Sequence, residues 1–135
     1  MPGPCSPGVT CRNWSLSSEI SDLQGFDIGI MPIWDDDWTR GKCAFKIVQY
    51  MSVGASVVAS PVGLNKEIVR DGVNGFLADD EKEWLEKLCL LIDNPAIRQR
   101  FALEGRVTIE REYSLKAMAP KFISILEKAY ADKRD

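Results

Sequence analysis

The 135-residue sequence contains no histidine. It therefore lacks the side chain that most often acts as a general base near neutral pH, and any chemistry must use Asp, Glu, Lys, Tyr or the substrate itself. A zinc site would need thiolates or carboxylates alone, and the cysteines form no C-x-x-C pair. We therefore expect no metal and no cofactor. We interpret Cys5, Cys11, Cys43 and Cys89 as free thiols in a reducing, cytoplasmic compartment.

Long runs of a single chemical character are also absent. The net charge is −3 and no long basic run occurs, which argues against general binding to nucleic acid or to a membrane surface. The longest apolar runs are far too short for a membrane-spanning helix, and the N-terminus lacks the features of a secretory signal. The length and the 45% content of hydrophobic residues are typical of one globular domain. Because the chain has no long basic run, a phosphate site would have to be local.

The most informative stretch is 38–60, WTRGKCAFKIVQYMSVGASVVAS. Apolar residues recur at helical spacing from Ala44, and Gly54 is placed to end that helix. Residues 56–59 form a short β-branched run with small neighbours, which is typical of a strand buried on both faces. The stretch therefore predicts a loop, a helix, a tight turn and a buried strand.

One side of this predicted helix is polar. Lys42, Lys46 and Gln49 are spaced four and three residues apart, so they fall along one side of the helix. The helix start follows Gly41, and free N–H groups there could meet an anion. The alternative is an ordinary solvated helix face, because exposed lysine is common on helices.

The rest of the chain alternates strands with helices and then becomes helical. We predict a flexible arm over 1–13 and a domain over 14–135, with further strands at 27–32 and 75–78. This order indicates an α/β fold: a truncated, Rossmann-like parallel sheet flanked by helices, with a helical C-terminal tail. Three strands are few for such a sheet and suggest that the first βα units are missing.

The helical tail shows clear start signals. The pair Asn94-Pro95 predicts a helix with Ile97 and Phe101 facing inward and a break or bend near Gly105. Ser114 predicts the cap of a final helix. The residues of that helix predicted to face inward are Leu115, Met118, Phe122, Ile125 and Ala129.

An acidic loop follows the strand at 27–32. It carries Asp35, Asp36 and Asp37 between Trp34 and Trp38. Loops at the carboxyl end of a strand in an α/β sheet are where ligands bind, and the two tryptophans could stack on a base or a sugar. A solvated acidic loop, with the tryptophans packed into the rim of the domain, is the alternative.

Several blocks in order resemble one enzyme family. They are the strand DIGIMP, the helix K-x-x-Q-Y-M-x-x-G, the strand VVAS and the motif V-G-x-N-x-E-I-V-x-x-G-x-N-G. Together they resemble the second half of the C-terminal, donor-binding domain of family 4 (group 1) glycosyltransferases, which have the GT-B fold. The resemblance implies retaining transfer of a sugar from a UDP-, GDP- or ADP-sugar.

The resemblance also implies where the donor binds. The family motif has two glutamates eight positions apart, which fall here on Gly41 and Gln49. Gln49 is then the ribose-binding residue, while Gly41 offers no side chain, and Asp35, Asp36 or Asp37 would contact the sugar. The implied diphosphate site is formed by Gly41, Lys42, Cys43, Ala44 and Lys46. No catalytic residue is assigned.

The acceptor-binding domain of the family has no counterpart in this sequence. We therefore expect the chain to be a gene fragment or one part of a split enzyme, inactive alone without that domain or a partner chain that supplies it. The alternative is a non-catalytic interaction or oligomerisation module, for example a homodimer formed through an exposed sheet edge. A nucleotide-sugar epimerase is a weaker alternative, because no acid and base pair can be placed.

Overall fold

The computed structural model describes residues 6–132, which form a three-stranded parallel sheet with helices on both faces. This confirms the predicted fold class. The proposed arm includes residues 1–5, which lie outside the described residues, and its boundary at residue 13 stays a prediction. In chain order the elements are α1 (Glu19–Gln24), β1 (Ile28–Met31), α2 (Asp37–Arg40), α3 (Phe45–Val53), β2 (Ser56–Ala59), α4 (Asn65–Ile68), β3 (Phe76–Leu77), α5 (Glu81–Asp93), α6 (Pro95–Thr108), a π-helical turn (Ile109–Tyr113) and α7 (Leu115–Ala131).

The strands lie in the order β1-β2-β3. Gly29 is opposite Val57, and Val58 is opposite Phe76. All four residues of β2 are buried, as the β-branched run predicts for a central strand. Parallel neighbours need a crossover connection, and here α3 joins β1 to β2 while α4 joins β2 to β3. The carboxyl ends of the strands therefore open onto one edge of the sheet, where the loops before α3 and α4 meet.

The core has two layers because side chains alternate along β2. Val57 and Ala59 pack with Ile47 and Met51 of α3 on one face of the sheet. Val58 points to the other face. There it packs in a cluster with Ala78, Leu91 and Phe101.

The predicted helix start at Pro95 is confirmed; of the predicted break or bend near Gly105, the break is wrong and the bend stays a prediction. The helix runs through Gly105 to Thr108. Gly105 is buried there, and a Cβ at this position would lie 3.0 Å from Cγ of Met51. The absence of a side chain at Gly105 therefore allows α6 to pack closely against α3.

The final helix begins after the Ser114 cap, whose hydroxyl accepts a hydrogen bond from the Ala117 N–H at 3.2 Å. The prediction that its apolar face points inward is wrong, since α7 has no buried residue. Its exposed apolar side chains are Leu115, Met118, Phe122, Ile123, Ile125 and Leu126.

The cysteines differ in state. Cys43 and Cys89 are free thiols as predicted, whereas Cys11 is disulfide-bonded, so the prediction is wrong at Cys11. Cys5 lies outside the described residues. Over residues 6–132, no helix has both the length and the apolar character that crossing a membrane requires.

Candidate functional site

The candidate site lies at the carboxyl edge of the sheet, where two loops are joined. The Ser60 hydroxyl accepts a hydrogen bond from the Ile33 N–H at 3.0 Å, and the Asn65 amide donates to the Ser60 carbonyl at 2.9 Å. Gly63 has a φ of +51°, and a Cβ there would lie 2.7 Å from the carbonyl oxygen of Arg40. Only glycine accommodates both the left-handed backbone and this approach. The loops after β1 and β2 therefore form one rim.

The acidic loop contains a helix that the sequence analysis missed. Asp36 is the N-cap of α2: its carboxylate accepts from the Thr39 N–H at 2.7 Å, while the Asp36 N–H donates to the Thr39 hydroxyl at 3.1 Å. The hydrogen bonds that the Asp36 carboxylate accepts from the Thr39 N–H and from the Thr39 hydroxyl hold the pKa of Asp36 below its usual value. The spacing of Asp36 and Thr39 was the local signal, because a cap and a residue three positions later can bond reciprocally.

The other acidic side chains of this loop pair with Arg40. The guanidinium lies 2.6 Å from the Asp35 carboxylate and 3.2 Å from that of Asp37. The hydrogen bond from Arg40 lowers the pKa of Asp35. Trp34 and Trp38 are 87% and 80% exposed, so neither is packed into the rim of the domain. Contact of the three aspartates with a sugar stays a prediction.

The start of α3 carries free backbone donors. The Ala44 carbonyl accepts from the N–H groups of Ile47 and Val48, so the helix itself provides no acceptor for the N–H groups of Phe45 and Lys46. Ala44 is buried in the left-handed conformation, with φ at 53°. Because α3 connects two parallel strands, its first residues lie at the carboxyl edge of the sheet.

Positive charge lies beside these donors. Lys42 and Lys46 are exposed, and in the described part of the chain neither ammonium forms an ion pair. Gly41 ends α2, and Cys43 is exposed between it and the helix. The helix dipole and two unpaired ammonium groups therefore favour an anion at this place.

Gln49 faces a partner that the sequence analysis did not identify. Its Nε2 donates to Oε1 of Glu19 at 2.9 Å, which joins α3 to α1. Its Oε1 is buried and accepts no hydrogen bond from the described residues. The two residues are 30 positions apart, and no local pattern links them.

Two cavities lie beside α1. The larger, of about 590 Å³, is lined by Lys46, Tyr50 and the segment around Trp14. The smaller, of about 390 Å³, is lined by Gln49, Phe45 and Val48 among others. Glu19 lines both cavities, whereas Lys46 lines only the larger and Gln49 only the smaller, so the structure does not bring these two predicted donor-binding side chains into one cavity. Within residues 6–132 no three His, Cys, Asp or Glu side chains are grouped to hold a metal ion.

Comparison with known proteins decides the family. The family model described as "Glycosyl transferases group 1" matches residues 7–94, which is more than half of the chain. The chain belongs to the group 1 glycosyltransferases. This confirms the resemblance that the ordered sequence blocks indicated.

Among characterised proteins, this glycosyltransferase chain is similar to D-inositol 3-phosphate glycosyltransferase of a Nocardioides species. The two are 33% identical over 86 residues, covering 62% of this chain and 19% of the relative. The chain therefore spans about a fifth of that protein.

Solved structures share the fold. The C-terminal domain of the group 1 glycosyltransferase LpcC of Francisella tularensis superposes with a TM-score of 0.66 at 19% identity, covering 78% of this chain and 53% of that domain. Anabaena HepE, solved in complex with UDP, superposes with a TM-score of 0.64 at 20% identity, covering 78% of this chain and 29% of HepE. The glycosyltransferase chain thus has the fold of about half of a GT-B C-terminal domain.

Proposed function

We propose that the chain binds the nucleotide-sugar donor, a UDP-, GDP- or ADP-sugar, for a retaining glycosyl transfer. The observation that carries the proposal is the start of α3, where two free N–H groups are close in the chain to Lys42 and Lys46, whose ammonium groups form no ion pair within residues 6–132. In glycosyl transfer the nucleoside diphosphate is the leaving group, and ammonium groups beside it stabilise the charge that develops.

The surroundings of this helix start support the proposal. Ligands of open α/β sheets bind outside the carboxyl ends of the strands, which is where α3 begins. The similarity in fold to HepE, which was solved with UDP, is consistent with a nucleotide at this edge. Gly41, Cys43 and Ala44 contribute backbone to the proposed diphosphate site, and the loop of Asp35, Asp36 and Asp37 adjoins it.

We further propose that the chain transfers no sugar by itself. It spans about a fifth of its characterised relative. Sugar transfer needs an acceptor positioned against the donor in a site that excludes water. A single face of a cleft neither positions an acceptor nor excludes water. Donor binding without turnover is therefore the activity to measure, and an acceptor-binding domain or partner chain would complete the enzyme.

Lys46→Ala is expected to weaken nucleoside diphosphate binding about tenfold, because a hydrogen bond to a charged group contributes on the order of 1.5–3 kcal/mol. UDP, GDP and ADP are titrated by calorimetry into the wild type and into this variant. Lys116→Ala is the matched control, because Lys116 is an exposed lysine at the start of α7.

The control is expected to bind like the wild type. If the wild type binds none of the three nucleotides at millimolar concentration, the proposed function is wrong. Equal loss in both lysine variants would show only a general charge effect and would also contradict the site.

A second candidate function, a self-associating module, is supported by the exposed apolar residues of α7. These side chains recur at helical spacing with none of them buried. Apolar helix faces of this kind are typical of interaction surfaces. No strand within residues 6–132 pairs with the outer edge of β1, so this edge is a further surface for association.

The double variant Phe122→Asp/Ile125→Asp tests this second function. These side chains are three positions apart on one face of α7, so two carboxylates there would oppose burial between two copies. We expect a dimeric wild type and a monomeric variant in sedimentation velocity. Glu127→Lys changes the charge on the other side of the helix and should leave the dimer intact. A monomeric wild type at tens of micromolar would exclude the module.

A further inference from the structure

Helix α7 presents its apolar side chains to solvent and is bordered by positive charge. We propose that this helix lies on an anionic membrane surface, with its apolar side in the boundary between the headgroups and the acyl chains. Donor binding at α3 is not required for this role. A self-associating module would use the same exposed residues, so the test must separate lipid from a second copy of the chain.

The exposed apolar residues of α7 occupy one continuous side of the helix. At about 100° per residue they span an arc of about 160°, with Leu115, Phe122 and Leu126 near its centre. Helix α7 has no buried residue, and its half-buried residues are all alanine or serine. The large apolar side chains, each at least 42% exposed, are Leu115, Met118, Phe122, Ile123, Ile125, Leu126 and Tyr130.

The width of this arc favours a flat apolar phase over a second helix. Two paired helices bury a narrow seam, so residues at the borders of an arc of about 160° would remain exposed. In α7 these border residues are Ile123 and Ile125. An interfacial helix sinks about 5–10 Å into the membrane boundary, which covers the whole arc at once. The helix would lie along the surface, because no helix within residues 6–132 is long and apolar enough to cross a membrane.

The charges of α7 indicate which kind of membrane it fits. Lys116 lies about 20° beyond Ile123 around the helix and Lys121 about 40° beyond Ile125, so a lysine borders the arc on each side. Lysine side chains lay their stems along apolar surface and keep the ammonium group in water, here among the headgroups. No lysine of α7 forms an ion pair in the described part of the chain.

The positive charge of α7 contrasts with the charge of the whole chain. The helix contains three lysines and a single acidic residue, whereas the net charge of the chain is −3. An anionic surface therefore attracts α7 and repels the rest of the domain, which orients the chain with α7 toward the lipid.

Cosedimentation with vesicles tests the proposal. The full chain is mixed with vesicles of phosphatidylcholine alone, or of phosphatidylcholine and phosphatidylglycerol in equal parts. The wild type is expected to bind the anionic vesicles and to bind the neutral ones at least tenfold more weakly, because each lysine near an anionic surface strengthens binding about fivefold. Absence of binding to the anionic vesicles at millimolar lipid would overturn the proposal.

The double variant Lys116→Gln/Lys121→Gln removes the two bordering charges and leaves the apolar side intact. Binding to the anionic vesicles is expected to weaken about 25-fold, and glutamine preserves the helix. Lys66→Gln/Lys82→Gln is the matched control, because these two lysines are exposed on α4 and α5. The control should bind nearly like the wild type. An equal loss in both double variants would show only a dependence on net charge and would overturn the assignment to α7.

A tryptophan at position 122 shows whether the apolar side itself enters the lipid. In Phe122→Trp the difference in emission from the wild type is expected to move to shorter wavelength on anionic vesicles, because the indole leaves water. Leu85→Trp is the control and should show no shift, since Leu85 is 65% exposed on α5. If Phe122→Trp shows no shift while the chain binds vesicles, another surface contacts the lipid and the proposal is wrong.

The outcomes separate lipid from a second copy and from the donor site. A wild type that is dimeric in sedimentation velocity and binds no vesicles overturns the proposal and leaves the self-associating module standing. Equal binding to neutral and anionic vesicles also overturns it, because the lysines then contribute nothing. Lys46→Ala should bind vesicles like the wild type, so a failure of the donor site leaves the membrane proposal intact.

Discussion

Phe101→Ala is expected to lower the free energy of unfolding by about 3–5 kcal/mol. Phe101 is fully buried in the layer between α6 and the sheet. Its ring packs edge-on against Phe76 of β3 with the ring centroids 4.8 Å apart. Truncation removes apolar contacts with Val58 and Leu91 and leaves a cavity, and β3 loses the aromatic contact that holds it to α6.

Urea denaturation measured by circular dichroism checks this prediction. Domains are typically stable by only about 5–15 kcal/mol, so the variant should be partly unfolded near 37 °C. Leu103→Ala is the matched control, because Leu103 lies on the same helix and is 70% exposed. A loss in Phe101→Ala no larger than that of the control would mean that α6 does not pack on the sheet as described.

Asn74→Asp is expected to be nearly as severe, with a loss of about 3 kcal/mol or more at neutral pH. The buried Asn74 amide donates to the Ile68 carbonyl at 3.0 Å and to the Thr108 hydroxyl at 3.2 Å. Its oxygen accepts from the Arg70 N–H at 2.7 Å. A carboxylate has the same shape but no donor, so it would place a buried negative charge against a carbonyl oxygen.

The loss should depend on pH in a defined direction. Burial raises the pKa of the introduced carboxyl in the folded state above its unfolded value of about 3.9. The destabilisation relative to wild type is therefore small below about pH 4 and grows as the pH rises from there to the raised folded pKa. Denaturation at pH 4 and pH 7 measures the difference. Gln99→Glu, the same exchange at an exposed site on α6, should show no such dependence, and a loss equal at both pH values would contradict the explanation.

Local sequence signals predicted the elements that build the site. The helix over Phe45–Val53 and its end at Gly54 follow from the apolar spacing and from a residue that accepts φ at 83°. The strand over Ser56–Ala59 follows from a β-branched run with small neighbours. Pro95 at the first position of α6 and the cap at Ser114 are likewise signals within a few residues. The helix in the acidic loop was not predicted; its cap pairs Asp36 with Thr39, whereas glutamate or glutamine is the usual residue at that position.

The sequence by itself determined the family, the α/β order and the helix that carries Lys46 and Gln49. Only the tertiary structure decided that Glu19 meets Gln49, that Lys46 and Gln49 line different cavities and that the apolar residues of α7 stay exposed. Periodicity and capping depend on neighbours within about one helical turn, so a short stretch of sequence is enough to predict them. The packing of whole helices and strands decides which face of a helix is buried and which distant side chains come into contact. No short stretch of sequence contains that information.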